Sequence, residues 1–143
     1  SIGKSAVLIC LGVIIGSVSG TVIMGFFLKY DLLYSAAVGS PMGWYSLAGI
    51  MLSKIDAQLG AIAFSANLIR ELTAIAAVPL IGTVMSPESA IASCGATAMD
   101  TTLPSIIKGL GRQYAVTGFA CGIIISFIVP FFLSIIQIIY GIM

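Results

Sequence analysis

The sequence predicts an all-α integral membrane protein of about five transmembrane helices, the second and fourth of them interrupted. Three observations carry that prediction. Of the 143 residues 59% are hydrophobic and 8% charged, and the mean hydropathy is +1.18, so lipid is the solvent this composition suits. The few charged residues fall between apolar runs of about 20 residues, the length a helix needs to span a bilayer. Two of those runs carry glycine and proline together at their centres, where a continuous helix is costly. A chain of this length is too short for two soluble domains, and 1–143 reads as one transmembrane domain.

The first span covers 5–28, with Lys4 as a basic flank. It is too long for the apolar region of a signal peptide, and Gly12, Gly16 and Gly20 recur at every fourth position. That stripe of small residues suits close helix packing, so the segment reads as a permanent span. Lys29 and Asp31 close it, and the second span, 32–53, contains Gly39-Ser40-Pro41-Met42-Gly43. Pro41 lacks an N–H, and the glycines beside it make unwinding cheap. Lys54 and Asp56 precede the third span, 57–85, in which Pro79 reads as an ordinary kink.

Glu88 introduces the fourth span, 87–107, which contains Cys94-Gly95-Ala96-Thr97-Ala98-Met99-Asp100-Thr101-Thr102-Leu103-Pro104. Pro104 cannot donate to the carbonyl of Asp100, which leaves that oxygen for another partner. Lys108 and Arg112 separate it from the fifth span, 113–142, with a second ordinary kink at Pro130. Paired, Gly/Pro-interrupted spans are a pointer to a transporter binding site, because unwound backbone at membrane depth needs protein or a watery cavity around it. With five crossings, Lys4, Lys54, Lys108 and Arg112 share one side and only Lys29 lies opposite. The positive-inside rule then places the N-terminus in the cytoplasm and the C-terminus outside. A re-entrant fourth segment would nearly erase that bias, so the charges favour a complete crossing.

The composition also excludes several classes. The chain has no His, which removes the commonest metal ligand and general base. Cys10, Cys94 and Cys121 lie far apart in apolar stretches, with neither zinc-site nor disulfide spacing, and read as small buried hydrophobes. No metal and no cofactor is expected. A net charge of +1 without a basic block argues against a nucleic-acid partner. An intramembrane hydrolase would need a second acidic motif, a zinc ligand or a serine with its base, and none of these patterns is present.

Two carboxylates carry the chemistry. Glu71 stands about 14 residues, roughly 21 Å of helix, into the third span, and Asp100 about 13 residues into the fourth. A charge at that depth costs about 2.5–3.5 kcal/mol on insertion scales, an expense a purely structural span has no need of. Asn67, Arg70 and Glu71 stand at i, i+3 and i+4, so one helix face is expected to carry an amide, a cation and an anion. Arg70 is expected to set the local potential and keep Glu71 ionised. Thr101 and Thr102 follow Asp100 and offer hydroxyls to an ion or a substrate; capping a half-helix is the plainer role for the carboxylate and is compatible with binding. Trp44 and Tyr45, just after the Pro41 break, are candidates for a cavity wall or for an interfacial belt. The breaks themselves are assigned to Gly39, Pro41, Gly43, Gly95 and Pro104.

The strings Gly43-Trp44-Tyr45-Ser46-Leu47-Ala48-Gly49-Ile50, Asn67-Leu68-Ile69-Arg70-Glu71-Leu72 and Cys94 to Pro104 resemble the lysine exporter family of the LysO type. They occur in that family's order and at about its spacing, and the resemblance covers the C-terminal half of typical members. It implies an inner-membrane transporter, not an enzyme, that expels lysine and its analogues, with two essential intramembrane acids matching Glu71 and Asp100. It further implies a partner for this half: a membrane subunit resembling the family's N-terminal half, or a second copy of the chain. The physics suits such a solute. Lysine has two ammonium groups for acids and one carboxylate for helix N-termini. Moving a monocation outward against an inside-negative potential costs about 2.3 kcal/mol per 100 mV, which exchange for an inward proton or sodium ion removes. An exchanger for another small cationic solute, and a non-catalytic membrane subunit, are the alternatives.

Overall fold

A computed structural model describes residues 2–141. They form seven α-helices: α1 (Ile2–Phe27), α2 (Leu32–Gly39), α3 (Tyr45–Leu52), α4 (Ala57–Val84), α5 (Pro87–Cys94), α6 (Leu103–Leu110) and α7 (Ala115–Ile139). Short 3-10 turns at Gly95–Met99 and Arg112–Tyr114 lead into α6 and α7. Among the described residues every regular element is helical, and the fold class is all-α membrane protein with the second and fourth segments interrupted. Stretches at Gly3–Phe27, Ala57–Val84 and Arg112–Ile139 are long and apolar enough to cross a bilayer. The acids between segments have local work: Asp31 accepts from Leu33 N, and Asp56 from Gln58 N and Leu59 N, capping α2 and α4. Ser86 caps α5, with Pro87 in its first turn.

The path of the interrupted segments differs from five complete crossings. Gly25 of α1 packs on Ser35, and Gly39 on Ser17 and Thr21, so α2 runs back along α1 only to its middle. Gly49 of α3 then packs on Phe64, and Ser53 on Gly60, which returns the chain to the end from which it started. Tyr140 marks that end. Burial, and then the carboxylates of Asp31 and Asp56 at the two feet of the hairpin, push its phenol above the ordinary value. The second interrupted segment does the same from the other end. Pro87 follows directly on α4, and α5 descends until Ala92 and Ser93 reach Arg70. α6 climbs back, with Gly109 against Pro79 and Leu110 against Gly82. The hairpin tips meet midway, where Ala96 N donates to Met42 O at 2.9 Å.

The physical reason is the backbone at the tips. Met42 (φ 52°), Gly43 (φ 104°) and Gly95 (φ 62°) are left-handed, and such residues reverse a chain that a proline alone would only bend. Gly39 has a different role from the expected unwinding: it ends α2 in close contact with α1. Pro104 is also no break, since it sits in the first turn of α6, where a missing N–H costs nothing.

The core lies where the hairpins meet α4 and α7, with Met42, Leu52, Leu59, Ile91, Ile106, Ile125 and Leu133 almost wholly buried. Cys10, Cys94 and Cys121 are buried and unbridged. By contrast the stripe on α1 is open, for a Cβ added at Gly12, Gly16 or Gly20 meets nothing within 4 Å.

This path moves Lys54 to the end that holds Lys29, leaving Lys4, Lys108 and Arg112 at the other. The bias that favoured a complete fourth crossing falls to three against two. Single substitutions Lys29→Cys, Lys54→Cys and Lys108→Cys in a cysteine-free chain test it. Positions 29 and 54 are expected to label from one side of the membrane and 108 from the other. Labelling of 54 together with 108 would restore the five-crossing path.

Candidate functional site

One turn of α4, Asn67 to Glu71, serves both hairpins. Asn67 is buried and uses its whole amide on backbone: Oδ1 accepts from Gly43 N at 2.9 Å, while Nδ2 donates to Val38 O at 3.0 Å and Ala63 O at 2.8 Å. It therefore satisfies groups on both sides of the first tip, which would otherwise be orphaned at membrane depth. Arg70 does the equivalent for the second. Nε donates to Ser93 O at 3.3 Å and Nη2 to Ala92 O at 3.5 Å, at the negative end of α5, while Nη1 reaches Ser17 Oγ at 2.9 Å.

Glu71 leaves that company. Successive residues on a helix project about 100° apart, and this one step turns the carboxylate away from the groove that Arg70 faces, while it stays within about 40° of Asn67. It is 5% exposed, and its Oε2 is buried with no hydrogen-bond partner among the described residues. The group lines a cavity of about 170 Å³ with Trp44, Tyr45, Thr97, Asp100, Thr101 and Ser126. Tyr45 is braced there by an edge-on contact with Phe64 at 5.4 Å between ring centroids.

Asp100 faces the same cavity but is exposed on its outer side. Its Oδ1 accepts from Thr101 N, at 2.6 Å, and from Thr101 Oγ1, at 3.3 Å. It does not cap α6, whose N-cap position is Thr102. Nor is its carbonyl free, because Leu103 N donates to it at 3.2 Å. Thr102 is fully buried and donates to Thr97 O at 2.8 Å, which holds the tip together rather than lining the cavity.

The structure thus brings Glu71, Asp100, Thr101, Trp44 and Tyr45 round one space. It places Asn67 and Arg70 behind that space and Thr102 beneath it. Arg70 and Glu71 do not share the expected helix face: Arg70 turns to a groove along α1 and Glu71 to the cavity. Thr97 and Ser126 join the lining unannounced, although Thr97 lies within the interrupted string and Ser126 is a lone hydroxyl in a strongly apolar run of α7. The half-helix α3 begins at Tyr45 on the wall of the cavity, so the N–H groups of its first turn lie near the rim; at the start of α6, Leu103 N is taken up by Asp100 O and Pro104 has no N–H. Two acids and a helix start round a small, partly open volume form a setting for a cationic solute that also carries an anionic group.

The comparisons with known proteins agree with the strings that form this cavity. The family model described as "Lysine exporter LysO" matches residues 1–137. The chain is similar to a protein of Escherichia coli (strain K12) named "Lysine exporter LysO", with 33% identity over 135 residues, or 93% of this chain and 44% of that protein. It is also similar to a "Putative lysine exporter" of Haemophilus influenzae, with 33% identity over 120 residues, 83% of this chain and 61% of that protein. No solved structure matches. The chain therefore belongs to the lysine exporter LysO family, and it spans about half the length of the relatives it matches.

Proposed function

We propose that this chain forms the solute-binding half of a secondary transporter that exports L-lysine and its analogues across the cytoplasmic membrane. Exchange for an inward proton or sodium ion drives it. The observation that carries this reading is the Glu71 carboxylate, buried at the middle of α4 with an unpartnered oxygen, on a cavity it shares with Asp100. A carboxylate with no hydrogen bond gains most from a cation and holds either a proton or an ammonium, but not both. The names of the relatives supply the solute. The N-terminus is assigned to the cytoplasm by the small excess of basic residues at its end.

The outer side of Asp100 is open, which an ionised group at membrane depth does not tolerate against lipid. A further membrane subunit resembling the family's N-terminal half is the preferred partner, ahead of a second copy. Proteoliposomes loaded with radiolabelled lysine test the reading. Lysine efflux is expected to accelerate at least tenfold under an inward proton or sodium gradient. Correctly inserted protein, with its partner, that moves no lysine under either gradient would replace the transporter by a non-catalytic membrane subunit.

A further inference from the structure

Arg70 places a positive charge near the middle of α4, on the side away from the Glu71 cavity. All three oxygens it reaches are neutral: Ser17 Oγ and the carbonyls of Ala92 and Ser93. A guanidinium has five N–H donors, so two find no acceptor among the described residues, and no carboxylate among those residues hydrogen-bonds to it. Beside it a groove of about 370 Å³ opens along α1, lined by Gly12, Gly16, Gly20, Thr21, Asn67 and Arg70 itself. Nothing lies within 4 Å of a Cβ added at any of the three glycines. Hydrocarbon could fill that space but could not supply an acceptor or a counter-charge.

We propose that this groove is the docking face for a transmembrane helix from outside residues 1–143, and that the helix carries an Asp or Glu at mid-depth which pairs with Arg70. The chemistry on each side is complementary. Glycines at every fourth position let a second backbone approach closely, where dispersion and polar contacts drive helix association in lipid. A carboxylate at that depth takes the two idle donors in the planar, two-pronged geometry that a guanidinium favours. The relatives have the length to supply such a helix, since this chain spans 44% and 61% of them. The proposal does not depend on which solute is carried.

A benzophenone attached at Gly16→Cys, in a cysteine-free chain within the membranes of its own cells, tests it. Irradiation is expected to join position 16 to a peptide from outside 1–143 that is apolar and holds an Asp or Glu. Arg70→Gln should lower the yield at least tenfold, and exchanging the charges of Arg70 and the identified acid should restore it. Because Arg70 also ties down α5, a second variant keeps the test independent of folding. A Cβ at position 12 meets nothing within 4 Å, so Gly12→Ile projects into the open groove and should cut the yield as strongly at unchanged expression. Cross-linking to lipid alone, to a second copy of this chain, or to a helix without an acid would overturn the proposal, as would full yield from Gly12→Ile.

Discussion

On the proposed function, Glu71→Gln and Asp100→Asn are each expected nearly to abolish lysine export while the protein stays in the membrane at wild-type levels or above. Both replacements keep shape and remove charge. Glu71 Oε2 makes no hydrogen bond that the change would break, and an Asn at position 100 still accepts from Thr101. The neutral forms are also better tolerated at membrane depth. What they lose is the attraction for a cation. Removing one partner of a buried charged contact costs about 2–5 kcal/mol, or roughly 30- to several-thousand-fold in binding. Growth on thialysine or a lysine-containing dipeptide, in a strain without other exporters and with membrane expression quantified, measures the effect. Wild-type resistance from both variants at equal expression would refute the site.

Gly95→Ala is expected to unfold the junction of the two hairpins. Its φ of 62° is a conformation that costs an alanine about 1–2 kcal/mol. The new Cβ would also fall on the carbonyl oxygen of Met42, with the Arg70 guanidinium 3.1 Å away on another side. The tips could separate only by giving up the Ala96 N to Met42 O bond, worth about another 0.5–1.5 kcal/mol. Against a total stability of about 5–15 kcal/mol these sums are large. Thermal melting in mild detergent should show a strongly lowered transition or aggregation. Gly3→Ala, which adds a Cβ in open space, serves as the control. A wild-type melting curve for Gly95→Ala would remove the tip contact from the structure.

Much of this architecture is legible in the residues. Hydropathy alone finds α1, α4 and α7, and the clusters round Pro41 and Gly95 mark both tips. The return of each hairpin is not legible, because an apolar run of 22 residues has one composition whether it crosses or doubles back. Met42 shows why: its left-handed backbone has no signature in its side chain. Position 104 shows the opposite ambiguity, since a proline that could break a helix here starts one. Glu71 and Asp100 stand out in the sequence because charge is rare there. The i, i+3, i+4 spacing of Asn67, Arg70 and Glu71 misleads, because one residue of helical rotation is enough to turn Arg70 and Glu71 to different spaces.

The direction of the half-helices has a consequence for how a solute would lie. α2 and α5 end at the same tips where α3 and α6 begin, so each tip sets a helix end against a helix start, and Arg70 takes up the carbonyls of Ala92 and Ser93 at the end of α5. The start of α3 is left beside the cavity that Glu71 and Asp100 line. On the proposed function, the ammonium groups of lysine turn to the two acids and its carboxylate to the helix start, so the cavity orients the solute as well as attracting it.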